Sequence, residues 1–251
     1  MPVASFRFYA ELNDFLPPER RGREFSYSFI DRTSVKDMIE SLGVPHTEID
    51  IILVNGESVD FTKLVEDGDR IAVYPMFEAI DVTPLLRLRP EPLRVTRFVA
   101  DVHLGRLVAY LRMLGFDTVY RNDFSDGDLA RISAGERRIL LTRDRGLLKR
   151  SIITHGYCVR ATNPREQAIE VVNRFDLRRR VLPFRRCIRC NGELAPVPKE
   201  LIVDALPERT IEHYNDFHRC ISCGQIYWKG GHYRRMQTLM AKLGFLPESS
   251  I

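Results

Sequence analysis

Two pairs of cysteines, Cys187-Ile-Arg-Cys190 and Cys220-Ile-Ser-Cys223, place the tightest constraint on how this chain folds. Each CxxC turn presents two sulfurs to one tetrahedral ion, and four soft sulfur ligands favour Zn2+. The two turns must therefore meet in space. Because 29 residues separate Cys190 from Cys220, an insertion lies between the two knuckles. Gly192 and Gly224, just beyond each pair, ease the tight backbone. Two disulfides are the alternative, and a reducing compartment disfavours them. A redox CxxC needs no second pair. A closed four-sulfur site has no open position, so it is expected to be structural. The fifth cysteine, Cys158, falls within the strand-like YCVRAT and reads as a small core residue.

The rest of the chain is that of a globular protein. Its 251 residues allow two domains or slightly more, with 44% hydrophobic and 29% charged residues. No apolar run reaches the length needed to cross a bilayer. The start, MPVASFRFYAELNDF, lacks the basic-then-apolar pattern of a secretory signal, so a cytoplasmic location is expected. The net charge of +4 hides an asymmetry: residues 1–94 carry −6 and residues 95–251 carry +10. The second part is the better candidate for a polyanionic partner, with a solvated basic surface as the alternative.

Residues 1–80 read as a small mixed domain. FRFYAEL and FSYSFI alternate as strands, and Ser34 caps a helical stretch that ends at Gly43. Asn55-Gly56 marks a hairpin, and EDGDRIAVYP supplies a last strand. This order suggests a β-grasp, ubiquitin-like domain. FYAEL, VNG and DGDRIAVYP resemble the small sulfur-carrier proteins of molybdopterin and thiamine synthesis. Those carriers end in a free Gly-Gly, whereas this chain runs on through MFEAID, so the resemblance implies the fold and not sulfur transfer. Residues 81–94, with three prolines from Pro84 to Pro92, read as a linker.

From Arg97 the pattern alternates. RFVAD, DTVY, RILLT and YCVRAT read as strands. Between them lie a helix with Leu104, Leu107, Val108, Leu111 and Leu114 on one face, a short helix from Ser125, and a helical turn after Asp144. Asn163-Pro-Arg-Glu opens a further helix. Such alternation predicts a parallel sheet covered by helices over residues 95–182, followed by a zinc-ribbon module with a C-terminal helix over 183–251.

Ligands gather at the carboxyl ends of the strands in such sheets. Asp101 closes RFVA, Asp144 follows ILLT, and Asp126 and Asp128 begin a helix. Clustered carboxylates suit Mg2+ or Mn2+, which in phosphodiester hydrolysis activate water and stabilise the leaving oxygen. Each acid is equally placed to cap a helix, and Ser125 with Asp128 has the form of a capping box. Five basic residues share RILLTRDRGLLKR with Asp144. Of these, Arg143, Arg145 and Lys149 are candidates to hold a phosphate backbone.

The stretch FVADVHLGRLVAYLRMLGFDTVYRNDFSDGDLARISAGERRILLTRDRGLLKR resembles the Mut-seven C-terminal ribonuclease domain, a PIN-like family. The resemblance extends over roughly residues 94–240 and includes a terminal cysteine module. In some members a ubiquitin-like domain precedes it. It implies a PIN-like nuclease with metal-binding acids at Asp101, Asp126 and Asp144, and leaves Asp128 less defined. Many PIN domains carry a further acid on an intervening helix, and the helix VHLGRLVAYLRMLGF supplies none.

Arg112 lies in the matched LR-x-LG run, either to reach a phosphate or to meet the helix dipole. His103 is an acid–base candidate or a surface histidine. In QIYWKGGHYRRM, Tyr227, Trp228 and Tyr233 interleave with Lys229, His232 and Arg234, a pattern suited to unpaired bases and phosphates. Alternatively, Trp228 is the core of the zinc module. The expectation is a metal-dependent ribonuclease with structural Zn2+ and catalytic Mg2+ or Mn2+, acting on RNA. The alternative is a non-catalytic RNA-binding adaptor whose β-grasp domain docks a protein partner. The acidic N-terminal domain is also placed to cover the basic face when RNA is absent. The sequence leaves the oligomeric state open.

Overall fold

The computed structural model describes residues 1–30, 32–75, 88, 96–242 and 244–245. Apart from Leu88, the expected linker 81–94 lies outside them.

The N-terminal domain is a five-stranded mixed sheet. Strand β1 (Val3–Phe8) buries Ala4, Phe6 and Phe8 and pairs antiparallel with β2 (Phe25–Ser28). Helix α1 (Val35–Ser41) starts where Ser34 Oγ accepts the Asp37 N–H at 3.1 Å, and it buries Val35, Met38 and Ile39. β3 (Ile49–Val54) and β4 (Glu57–Val59) are joined by Asn55 and Gly56, at φ 53° and 92°. Both residues are left-handed, as a tight hairpin turn requires. β5 (Arg70–Pro75) runs parallel to β1 and antiparallel to β3, giving the β-grasp order β2-β1-β5-β3-β4.

The α/β part follows. β6 (Phe98–Ala100) is wholly buried, and α2 (Gly105–Met113) packs Leu107, Val108 and Leu111 inward. β7 (Thr118–Val119) pairs parallel with β6. Next come α3 (Asp126–Glu136), the buried strand β8 (Ile139–Thr142), α4 (Arg145–Leu148) and β9 (Gly156–Cys158), which pairs parallel with β8. β9 is shorter than YCVRAT suggests. Beyond Cys158, the N–H groups of Arg160 and Ala161 donate to the Glu170 carboxylate at 2.8 and 2.9 Å, so these donors are not available to a ladder. Glu170 lies on α5 (Pro164–Arg174), which Asn163 caps through the Arg165 N–H at 2.9 Å.

The cysteine module has an antiparallel sheet of β10 (Leu194–Pro196), β11 (Phe217–Cys220) and β12 (Ile226–Trp228), with β11 central. Helix α6 (Glu208–His213) lies between the knuckles, and α7 (Gly231–Lys242) follows the sheet. The insertion builds a small core from Ile202, Leu206 and Phe217, against which Tyr214, Ile226 and Trp228 pack. Trp228 therefore serves that core. Among the described residues, no helix is long and apolar enough to cross a membrane.

The chain divides into two compact units. One contains the N-terminal domain together with Phe124–Cys158. The other contains Thr96–Asp123 and the residues from Val159 onward. Within the first unit the β-grasp domain is joined to the β8–β9 region by buried polar groups. His46 places Nδ1 2.6 Å from Glu40 Oε1 and Nε2 2.8 Å from the Ile153 carbonyl oxygen. Glu48, 1% exposed, accepts the Cys158 N–H at 2.5 Å. Lys149 Nζ donates to the Glu40 carbonyl at 2.6 Å, and the Arg145 guanidinium lies 4.9 Å from the centre of the Phe15 ring. Polar groups buried as deeply as His46 and Glu48 are costly unless partnered, so their contacts hold the domain against this region.

Candidate functional site

The four cysteine sulfurs of the two knuckles all lie within 4.8 Å of one another. Cys187 Sγ is 3.6 Å from Cys223 Sγ, and Cys190 Sγ is 3.4 Å from Cys220 Sγ. These separations are far longer than a disulfide bond and close to the roughly 3.8 Å between sulfurs on one tetrahedral zinc. A side chain at Gly192 would put its Cβ 2.8 Å from Cys220 Sγ, so the turn closes on the sulfurs only because that residue is glycine. Gly224 adopts φ +73° beside the second pair. Burial opposes ionisation of Cys220, but hydrogen bonds from the N–H groups of Cys223 and Ser222 and from the Cys190 and Cys223 thiols together outweigh it and bring the thiol down to about 6. Its neighbour Cys190 is pushed up to about 12, chiefly by burial. The Tyr227 hydroxyl lies 3.1 Å from Cys187 Sγ, and its phenol is pushed up by burial and by that sulfur. The donor set and spacing fit a zinc ribbon.

Arg112 serves this module and is not available to a phosphate. It is 5% exposed. Nε donates to the Thr118 carbonyl, and Nη1 donates to the carbonyls of Ile188 and Arg189 inside the first knuckle, each at 3.0 Å. Burial lowers the guanidinium pKa, while the Cys190 and Cys187 sulfurs and Asp117 act in the opposite direction. Asn191 completes the latch. Its Oδ1 accepts the Thr118 N–H at 2.9 Å and its Nδ2 donates to Asp117 Oδ1 at 2.7 Å.

The aspartates divide by what their oxygens already do. In Asp128, Oδ2 accepts from the Ser125 N–H and hydroxyl, and Oδ1 meets Arg131. Both oxygens thus hold the start of α3, and the capping alternative accounts for this residue. Asp144 caps α4 through Oδ1, which accepts from Gly146 N at 2.7 Å and Leu147 N at 3.3 Å. Its Oδ2 makes no hydrogen bond among the described residues, and the residue is exposed. Asp126, the exposed first residue of α3, has no side-chain partner among the described residues. Asp101 is 7% exposed at the carboxyl end of β6, and its side chain makes no capping bond to the turn that follows. Asp126 and Asp144 belong to the unit that includes the β-grasp domain, and Asp101 belongs to the other. Among the described residues, the cysteines are the group of three or more Cys, His, Asp or Glu whose ligand atoms come within 4.8 Å.

The remaining candidates are placed as follows. Arg143 is exposed and has no partner among the described residues, whereas Arg145 and Lys149 face the N-terminal domain. Lys229 is held by Asp216 at 2.8 Å, and Arg234 is exposed. His232 lies in α7, and His103 is exposed. Sequence reasoning passed over Tyr120, whose hydroxyl donates to the Val102 carbonyl one residue after Asp101, at 3.0 Å. Gly105 in the LGRL run makes room for it, because a Cβ there would sit 2.7 Å from Tyr120 Oη. That glycine was the available signal.

A ubiquitin-like domain, a parallel α/β part and a zinc-ribbon module define a three-part α/β protein. The Mut7-C RNAse domain model matches residues 96–240, and the Mut7-C ubiquitin model matches residues 1–81. The first match spans more than half of the chain, and the chain belongs to the Mut7-C RNAse domain family. Membership supports a nuclease-like role. Among solved structures, the crystal structure of H. volcanii small archaeal modifier protein 1 is similar at 18% identity, covering 30% of this chain and 98% of that one, with a TM-score of 0.25. No curated protein matches the chain.

Proposed function

We propose that this protein is a divalent-metal-dependent ribonuclease in which Asp101, Asp126 and Asp144 hold Mg2+ or Mn2+. The observation that carries this reading is Asp144. It caps α4 with one oxygen, its other oxygen makes no hydrogen bond among the described residues, and the preceding Arg143 is exposed with no partner among them. Asp126 adds a carboxylate with no competing partner among the described residues, and the match to the Mut7-C RNAse domain supplies the reaction class. Carboxylate oxygens are the donors that these hard ions prefer. Mg2+ is commonly held by one or two carboxylates together with substrate phosphates, so a preformed cage is not required. When bound, the ion supplies Lewis acidity and water activation for phosphodiester hydrolysis. Arg143 then holds a phosphate next to the scissile bond. The zinc ribbon is structural, and the compartment is cytoplasmic. The β-grasp domain engages residues 145–158 of its own chain, and the surface away from that contact is where a protein partner would dock.

The test is cleavage of a labelled single-stranded RNA. The expected results are loss of cleavage with EDTA, recovery with Mn2+ while zinc content is monitored, and a loss on the order of 10²-fold or more in Asp144→Asn. Full activity in Asp144→Asn removes the mechanism. RNA binding without cleavage under any divalent ion establishes the adaptor instead.

A further inference from the structure

Three aromatic residues far apart in sequence, Phe184, His218 and Tyr233, meet in the unit that contains the cysteine module, and each is followed by an arginine: Arg185, Arg219 and Arg234. Their rings form one cluster. The Phe184 ring centroid lies 5.2 Å from that of His218 and 4.7 Å from that of Tyr233, in edge-to-face contact with both. All three aromatic residues are half-buried, so each keeps part of its surface open.

The arginines that follow them are exposed. None has a side-chain hydrogen bond or acidic partner among the described residues. The Arg219 guanidinium lies over Gly224 of the second knuckle, 3.5 Å from where a Cβ would stand. Several other cations of this unit are committed elsewhere. Lys229 pairs with Asp216, Arg186 lies near Asp117 and Glu193, and Arg178 donates to Asn173 and Gly244. Arg219 follows His218 directly on β11, so its side chain points to the opposite face of the sheet, and the arginines left beside the rings are Arg185 and Arg234.

Two further details mark the cluster. Phe184 sits at φ +66°, an uncommon backbone for a bulky residue and one that persists where function or packing requires it. His218 Nδ1 is buried without a hydrogen bond among the described residues, with Asp216 at 3.8 Å. Aromatic faces accept bases whatever their sequence, and guanidinium groups meet phosphates. A duplex hides its base faces by stacking, so exposed rings beside cations select unpaired strands.

We infer that these rings, with Arg185 and Arg234, form one surface that takes single-stranded RNA, with bases against Phe184 and Tyr233 and phosphates against Arg185 and Arg234. The choice of RNA over other polyanions rests on the ribonuclease reading above; the surface itself does not involve the aspartates.

The test is fluorescence-anisotropy binding of a labelled single-stranded RNA to the full chain carrying Asp144→Asn, which keeps the RNA intact. Combined Arg185→Gln and Arg234→Gln should reduce the slope of log affinity against log salt by about 1.4, since each phosphate contact on a single strand contributes roughly 0.7. These residues are exposed, and unchanged zinc content and circular dichroism check the fold. Tyr233→Leu should weaken the native strand roughly tenfold and leave an abasic strand of equal charge unaffected. An unchanged salt slope in the double variant overturns the proposal. Equal loss on native and abasic strands, or duplex binding as tight as single-strand binding, overturns the role of the rings. Single-stranded DNA binding as tightly as RNA overturns the choice of RNA. A reduced slope alongside undiminished cleavage by Asp144→Asn keeps this surface and rejects the aspartate mechanism; the reverse pair of results keeps the mechanism and rejects the surface.

Discussion

The imidazole of His46 reaches the carbonyl oxygen of Ile153, 107 residues along the chain, at 2.8 Å. Its other nitrogen is 2.6 Å from Glu40, and two residues on Glu48 accepts the Cys158 N–H. His46→Ala leaves the Ile153 carbonyl without this partner, and Glu48→Ala does the same to the Cys158 N–H. Each should cost about 1–3 kcal/mol, read as a lower urea midpoint with an unchanged slope. Glu48→Gln retains an acceptor and should cost less than Glu48→Ala. Equal midpoints for Glu48→Ala and wild type would show that the bond contributes nothing.

Arg112 links the first knuckle to Thr118 through three hydrogen bonds. Arg112→Ala should destabilise the chain by about 2–3 kcal/mol, weaken zinc retention against a chelator, and speed hydrogen exchange at the Thr118 amide. The salt dependence of RNA binding should stay the same, because the guanidinium meets no phosphate. A reduced salt slope with normal zinc retention would return Arg112 to the RNA interface.

Metal removal should act through the same latch. Cys220→Ser should abolish stoichiometric zinc and loosen the module from residue 187 to the end of β12, since a structural zinc contributes directly to folding. Hydrogen exchange should increase there and at Thr118, while the β-grasp strands remain protected. Undisturbed protection at Thr118 in the zinc-free protein would show that the latch does not depend on the ion.

The Lys229 ammonium beside Asp216 holds the Asp216 carboxyl below the usual carboxylate range. A lowered folded-state pKa contributes stability that is present above the unfolded pKa of ~3.9 and is lost as pH falls through the folded value. Both groups are well exposed, so salt screens the pair and its contribution is small. NMR titration should show the Asp216 pKa rising toward its ordinary value in Lys229→Gln and at high salt. No change in either condition would contradict the pairing.

Gly105 faces Tyr120. Gly105→Ala should displace that ring, break its hydrogen bond to Val102 and cost about 1–3 kcal/mol. The additional variant Tyr120→Phe should recover part of the loss by removing the crowded hydroxyl. No recovery would place the clash elsewhere.

Features set by near neighbours could be read from the chain itself. Ser34, Ser125 and Asn163 cap the helices that follow them, and Asn55-Gly56 makes its hairpin, because each partner lies within three residues. The cysteine convergence was equally legible, since four thiols leave few alternatives. Other features depended on distant partners. Arg112 has the spacing of a surface helix residue, yet its partners at 188 and 189 bury it. HTEID reads as a polar connection, yet it is buried, with partners at 153 and 158. Ser125 marked Asp128 as a capping-box acid in the sequence itself, whereas only the hydrogen bonds show that Asp144 caps with one oxygen and leaves the other without a partner among the described residues.

The Glu48–Cys158 contact also bears on how the chain can be divided. β9 is paired with β8 along one side only. A polypeptide trimmed of its first 80 residues would bare that margin and leave the Cys158 N–H open to any passing strand. Sheet margins of this kind invite self-association. The ubiquitin-like module covers this margin, and the Mut7-C RNAse domain produced without it should tend to precipitate.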